Sequence, residues 1–335
     1  MTEQSLPAVG ITGVGMAFPE RRLTNADLER MVDTNDQWIR ERTGIRERRI
    51  AEKGVPASHF GALAAQAALA DAGLEPSDID LLVVPTVTPD MLFPSTACVI
   101  QDKLGIQGAW GFDVSAACSG FLFALQAARA QIQTGQSRRA LVIGTEIMSS
   151  IVDYTDRNTC ILFGDGAGAV VLERVDPALD GIIDSINYID GSGGKHLHMK
   201  AGGSLHPASE ETVRNKMHTI YQEGREVFKF AVRGMAEVAA EVVERNGFAP
   251  SDVKLLVPHQ ANLRIIEAAQ RRLGLSDEQV VVTIDRFGNT TSASIPSALR
   301  VASDEGRLHK GDLVVLASFG AGFTWGATLL RWVRD

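Results

Sequence analysis

The chain has 335 residues, 45% of them apolar and 22% charged, with a formal charge of −8. That length suggests roughly two domains or one large two-part unit, and the acidic balance argues against a general nucleic-acid binder, which needs a concentrated basic surface. Residues 1–7 lack a basic stretch followed by an apolar core, and no apolar run reaches the roughly 18 residues of a membrane span, so a cytoplasmic protein that does not bind membranes is expected.

In chain order, residues 21–60 read as a charged, helix-prone insertion, with a helix over 35–42 that carries Trp38. Residues 70–85 then form a helix end closed by Gly73, a Pro-Ser-Asp turn and a Leu- and Val-rich buried strand. Residues 244–258 repeat that pattern around Gly247, and a second pair, 163–172 and 319–330, repeats a glycine-rich turn entering a strand. Both pairs occur in the same order, which predicts two copies of one α/β unit, residues 1–180 and 181–335, built as layered sheets with helices between and outside them. The glycine-rich fragments do not open a helix after a strand, so they are weak evidence for a dinucleotide site. The insertions over 21–60 and 191–224 have the size of loops that cover a site.

The cysteines at 98, 118 and 160 show no Cys-x-x-Cys spacing, which supports neither a disulfide framework nor a structural zinc site. Cys98 and Cys160 lie in apolar runs and read as core. Cys118 stands where a strand-like stretch gives way to a helix pattern running to about Thr134. It reads either as a small buried apolar residue or as a nucleophile whose thiolate is stabilised by a helix N-terminus. His259 follows the strand over 255–258, and Asn289 follows a strand predicted over 280–285; a helix pattern comes after each. Taken singly, these are a satisfied structural histidine and a turn asparagine. Together, a thiol, an imidazole and an amide at similar strand ends point to one site. His196, His198 and His206 lack matching carboxylates or thiols and read as loop residues rather than metal ligands.

Cys118 in Ala-Ala-Cys-Ser-Gly-Phe, His259 in Pro-His-Gln-Ala-Asn-Leu-Arg and Asn289 in Phe-Gly-Asn-Thr-Thr-Ser-Ala-Ser resemble the Cys–His–Asn set of the thiolase superfamily. More narrowly, with the runs over 38–48 and 319–326, the chain resembles β-ketoacyl-acyl-carrier-protein synthase III. The resemblance implies a thiolase-like fold and a decarboxylative condensation of a short acyl-CoA with malonyl-acyl-carrier protein, in which Cys118 carries the acyl group. It implies that a protonated His259 ring nitrogen and the Asn289 amide meet the enolate oxygen, and that the backbone N–H groups of Cys118 and Ala321 meet the tetrahedral intermediate. Ala321 stands where many family members have glycine.

The resemblance further places Thr34, Trp38, Arg42, Arg157, Phe228 and Asn262 along CoA, with stacking on Trp38 and guanidinium groups, and Phe93 at the acyl tunnel, often across a homodimer interface. It implies acyl-CoA and the malonyl-bound and free acyl-carrier protein as partners, and no cofactor or metal. A basic face for the acidic carrier protein is expected at Lys229, Arg233, Arg264, Arg271 and Arg272; the alternative is an ordinary solvated helix face. Two other functions stay open: acyl transfer to an oxygen or nitrogen acceptor in secondary metabolism, and a non-catalytic carrier-protein or CoA binding module.

Overall fold

The computed structural model describes residues 6–335; residues 1–5 of the segment read for a leader lie outside the described residues. Five strands, β1 (Val9–Ala17), β2 (Leu81–Pro85), β3 (Trp110–Val114), β4 (Arg139–Ile147) and β5 (Asp165–Arg174), form one sheet in the order β1-β5-β4-β2-β3. Four more, β6 (Ile182–Ile189), β7 (Val253–Pro258), β8 (Leu313–Gly320) and β9 (Thr324–Arg331), form a second sheet in the order β7-β8-β9-β6. The two orders match. In the first sheet β2 runs parallel to β4, which pairs antiparallel with β5, which pairs antiparallel with β1. In the second, β7, β8, β9 and β6 stand in the same relations. The repeated segments also fold alike: each has a left-handed glycine (Gly73, φ 67; Gly247, φ 76), a Pro-Ser-Asp 3-10 turn and a buried strand.

Helices complete five layers. Helix α1 (Asp36–Thr43) belongs to the first insertion, and α2 (Ala57–Ala72) covers the outer face of the first sheet. Helices α3 (Gly120–Gln133) and α6 (Ser294–Asp304) lie between the sheets, while α4 (Gly224–Glu244) and α5 (Leu263–Leu273) cover the second sheet. The expected α-β-α-β-α layering is therefore observed. The alanine face of α2 sits almost on the backbone of β1: a Cβ at Gly15 would fall 2.2 Å from the Ala64 carbonyl oxygen. Between the sheets, Leu122, Leu125, Leu299, Leu316 and Trp332 are fully or almost fully buried. Among the described residues no helix is long and apolar enough to cross a membrane.

Three local expectations are corrected. Residues 280–285 are not a strand: only Val280 bridges to Leu256, and the short helix Ile284–Phe287 follows. The buried Gln260 side chain takes over the ladder there, donating to the Val281 carbonyl at 3.0 Å and accepting from the Thr283 and Ile284 N–H groups at 2.8 and 3.1 Å. Cys98 is exposed rather than core, because the short helix Thr96–Lys103 turns it outward, whereas Cys160 is buried as expected. The first insertion is partly strand, since Arg22–Thr24 pairs with Glu47–Arg49. Its anchor is Arg48, a fully buried guanidinium that donates to the Leu23 carbonyl at 3.1 Å, Asn25 Oδ1 at 2.9 Å and the Ile161 carbonyl at 2.6 Å.

Candidate active site

Cys118 lies on a 3-10 turn, Ala117–Ser119, between β3 and α3. The turn starts at a left-handed Ala117 (φ 46), a conformation that costs a non-glycine residue free energy and persists only where the surroundings impose it. They do so from the other half of the chain. Ser318 Oγ donates to the Cys118 carbonyl at 2.9 Å, Thr324 Oγ1 to the Ala116 carbonyl at 2.9 Å, and Ser119 Oγ to the Thr324 carbonyl at 3.1 Å. Gly320 presses on the same turn: a Cβ there would lie 2.7 Å from the Cys118 nitrogen.

The thiol is 8% exposed and is pushed up to about 12, by burial first and by the nearby Glu146 carboxyl second. Hydrogen bonds to sulfur from the backbone N–H groups of Cys118 and Ala321 oppose that rise. A helix-stabilised resting thiolate is therefore not what the structure holds. Helix α3 begins only at Gly120, and burial outweighs two N–H groups.

His259 follows β7 directly, its N–H donating to the Ala317 carbonyl at 2.8 Å. Burial pushes the imidazole down to about 3, so the ring is neutral at physiological pH, with one of its two nitrogens protonated. Nδ1 lies 2.7 Å from Ser294 Oγ, at the start of α6, and Nε2 has no protein partner among the described residues. Asn289 bridges the halves, with its N–H on the Leu162 carbonyl at 2.9 Å and its carbonyl accepting from Gly164 at 3.0 Å. Its Oδ1 accepts from the Thr291 N–H at 2.9 Å. That contact fixes the amide orientation and leaves the NH2 group as the free end.

Cys118, His259 and Asn289 share one cavity of about 770 Å³, whose apolar walls include Phe163, Leu197 and Phe319. Its mouth carries Trp38, Arg42, Phe228, Asn262 and Arg264. Asn35 caps α1 by accepting from the Trp38 backbone N–H at 2.8 Å, which fixes the helix start that carries the indole. The Arg42 and Arg157 guanidinium carbons stand 4.9 and 4.6 Å from its ring centroid. Asn262 caps α5 and donates to the Arg42 carbonyl at 2.7 Å, so one side chain links α5 to α1 of the first insertion. Thr34 is not part of the cavity lining, and its hydroxyl is buried without a partner. Phe93 is 84% exposed at the tip of a surface loop, away from the cavity.

Lys229, Arg233 and Arg264 are exposed, and the Arg264 guanidinium stacks 5.1 Å from the Phe228 ring. Arg271 faces Glu267 at 3.6 Å and Arg272 faces Glu244 at 3.3 Å. His196 Nδ1 pairs with Glu223 at 2.6 Å and His198 Nδ1 with the Gly194 carbonyl at 2.9 Å, contacts that brace the second insertion. A larger open depression of about 1040 Å³ lies between that insertion and Asp153, lined by Lys195, His198 and Lys216. It contains no nucleophile–imidazole pair. Sequence reading missed Ser294, Ser318 and Thr324, although Ser294 sits in the motif around Asn289. It also missed Arg225 at the mouth, where its charge was the available signal.

Two sheets repeated in order and direction, with a thiol from one copy meeting an imidazole and an amide from the other, put the molecule among thiolase-like acyl-transferring enzymes. Comparison with known proteins narrows this. Residues 112–191 match the family model of 3-oxoacyl-[acyl-carrier-protein] synthase III, and residues 243–332 match that of its C-terminal part. The chain is 55% identical over 326 residues to a β-ketoacyl-[acyl-carrier-protein] synthase III of Symbiobacterium thermophilum (97% of this chain, 98% of the relative). It is 54% identical over 323 residues to one of Koribacter versatilis (96% and 97%). The solved 3-oxoacyl-[acyl-carrier-protein] synthase III of Aquifex aeolicus aligns over 97% of this chain and 100% of its own at 45% identity, with a TM-score of 0.88. A priming β-ketosynthase of the R1128 polyketide pathway aligns over 100% and 99% at 36% identity, with a TM-score of 0.90. The chain belongs to the β-ketoacyl-[acyl-carrier-protein] synthase III family.

Proposed function

We propose that the chain condenses a short acyl-CoA primer with malonyl-acyl-carrier protein, giving 3-oxoacyl-carrier protein, CoA and carbon dioxide, as the initiating step of type II fatty-acid synthesis. One observation carries the reading: the Cys118 thiol, the partnerless His259 Nε2 and the Asn289 amide line one cavity with Trp38, Arg42, Arg225 and Arg264 at its mouth. Adenine stacks at Trp38 beside Arg157 and Arg42, and pantetheine passes Phe228 and Asn262 toward the thiol. Cys118 sulfur bonds to the acyl carbon, the carbon–sulfur bond to CoA breaks, and the thiol proton leaves on CoA. The N–H groups of Cys118 and Ala321 stabilise the oxyanion between these events.

In the second step the malonyl carbon–carboxyl bond breaks, and its electron pair becomes an enolate as carbon dioxide leaves. The His259 Nε2–H and the Asn289 NH2 hold the enolate oxygen, a role that requires the Ser294 hydroxyl to turn its one hydrogen from the Thr291 carbonyl, which it faces at 2.9 Å, to Nδ1 at 2.7 Å. The enolate carbon then attacks the acyl carbon and expels Cys118 sulfur as a thiolate, which takes one proton from solvent to become the thiol again. Lys229, Arg233 and Arg264 form the proposed carrier-protein face, while Arg271 and Arg272 already have carboxylates beside them. A homodimer is supported by the open edge strand β3 and by the exposed Leu92 and Phe93, with Phe93 closing the partner's acyl tunnel. Three free cysteines suit the reducing cytoplasm.

The test is intact-protein mass spectrometry followed by turnover. Incubation with acetyl-CoA should add one acetyl mass, absent in Cys118→Ala, and malonyl-carrier protein should then discharge it with release of carbon dioxide. Discharge by an amine or alcohol acceptor, with none by malonyl-carrier protein, would reverse the assignment in favour of acyl transfer in secondary metabolism.

A further inference from the structure

Glu146 ends β4 with a fully buried side chain that the mechanism above does not use. Its carboxyl sits where the turn after β2 meets the turns that carry Cys118 and Asn289, two residues that line the cavity. From the turn after β2, Thr86 Oγ1 donates to Oε2 at 3.2 Å, the Val87 N–H at 3.1 Å and Thr88 Oγ1 at 2.6 Å. From the turn after Asn289, Ser292 Oγ lies 2.8 Å from Oε1. Two residues earlier on the same face of β4, Gly144 lets the strand close on that turn: a Cβ there would stand 2.3 Å from the Ser292 carbonyl oxygen. The third neighbour is Cys118, whose thiol would be pushed up by any charge on the carboxyl.

The hydrogen count at Ser292 decides the protonation state. Its single hydroxyl hydrogen faces two acceptors, Glu146 Oε1 at 2.8 Å and the Pro85 carbonyl at 2.9 Å. With Glu146 ionised, one of these contacts is two oxygens without a hydrogen between them. With a proton on Oε1, Glu146 donates to Ser292 and Ser292 donates to Pro85, and both contacts are satisfied. The Oε2 side needs no proton, because three donors already converge there. Burial acts in the same direction, raising the carboxyl above its ordinary range against the bonds from Thr88, Thr291, Ser292 and Val87. The groups facing Glu146 from β4, the two turns and the Cys118 turn include no lysine, arginine or histidine among the described residues.

We propose that Glu146 is a positioning residue that works in its neutral form: the proton on Oε1 fastens the Asn289 turn to the wall after β2 and keeps a negative charge away from Cys118. An ionised Glu146 would oppose the negative charge that builds on sulfur whenever Cys118 gains or loses its acyl group. The idea rests on Cys118 as the acyl-carrying nucleophile, and its test does not use turnover.

The pH dependence of Cys118 alkylation by iodoacetamide is compared in the otherwise complete protein and in Glu146→Gln, whose amide reproduces the neutral acid's donor and acceptor. Equal alkylation rates at pH 7, within about twofold, are expected. A rise of tenfold or more in Glu146→Gln, the factor for a one-unit drop in thiol pKa, would mean that a charge had been removed and would overturn the proposal. A second measurement needs no variant: infrared spectra of protein labelled with 13C only in glutamate, at pH 7, should contain a protonated-carboxyl C=O band that the label shifts. Absence of that band would refute the neutral form. Failure to form an acetyl adduct would instead defeat the reading of Cys118 and leave both of these results standing.

Discussion

His259 makes the stability of the folded protein fall with acid in a predictable way. Its ring is buried and pushed from the ordinary 6.5 down to about 3, with burial as the cause. Below pH 6.5 the unfolded chain binds a proton at this residue and the folded chain does not, so stability is lost as pH falls from about 6.5 toward 3. At pH 5 the loss is about 1.5 pH units at 1.36 kcal/mol each, or about 2 kcal/mol, whereas at pH 7 it is close to zero. The figure at pH 5 depends only on the folded value lying well below 5. The assay is urea unfolding at fixed protein concentration at pH 7 and pH 5, for the parent and for His259→Gln, in which this titration is gone. Other groups titrate equally in both proteins, so the parent should lose about 2 kcal/mol more than the variant between the two pH values. Parallel stability curves would refute the neutral, proton-refusing imidazole and with it the role given to Nε2.

Three further outcomes are expected. Trp38→Ala removes the ring on which two guanidinium groups stack; at about 1–2 kcal/mol for such contacts it should raise KM for acyl-CoA roughly tenfold, while KM for malonyl-carrier protein moves less in steady-state assays. Ser294→Ala leaves His259 Nδ1 unpartnered, at a cost of about 1–3 kcal/mol, and should slow condensation at least tenfold while single-turnover acetylation of Cys118 changes little. Gly320→Ala drives a methyl into the Cys118 backbone and should cut acetylation about 100-fold, as expected for a displacement near 1 Å, with circular dichroism unchanged.

What could be read from the sequence was whatever local pattern decides. Gly73 capped its helix as expected because a left-handed residue after a helix is a local requirement; Gly247 is left-handed too but lies two residues past the right-handed Arg245 cap, and the repeats around both announced the paired sheets. Cys118, His259 and Asn289 stood out because each interrupts an apolar run at an element boundary. Glu146 did not, since one acid at the end of an apolar strand looks like the strand's polar terminus; only the fold brings Thr86, Thr88 and Ser292 onto it. The strand expected over 280–285 failed for a similar reason: a glutamine 20 residues upstream took the backbone partners a ladder would have used. The direction of the thiol's shift was misjudged because a helix start is visible in sequence, while the burial that outweighs it is produced by residues 318–324 of the other half.

A thiol pushed up to about 12 and an imidazole pushed down to about 3 leave Cys118 and His259 uncharged at neutral pH, and a protonated Glu146 would keep the rest of the cavity floor so. Thioester exchange suits that floor, because a thiol and a thioester are neutral before and after the transfer and no charge is stranded in a dry site. Apart from the malonyl carboxylate, which leaves as carbon dioxide, the reacting groups carry charge only while the tetrahedral intermediate, the enolate or the expelled thiolate lasts. For the first, the N–H groups of Cys118 and Ala321 already converge at the sulfur; for the second, the free ends of His259 and Asn289 face the cavity. Stabilisation is therefore spent on the transient species and withheld from the resting state, which is the condition for binding energy to raise the rate. A resting thiolate would reverse that order. It would need a buried counter-charge that the described residues around Cys118 do not supply, and between turnovers it would lie open to oxidation.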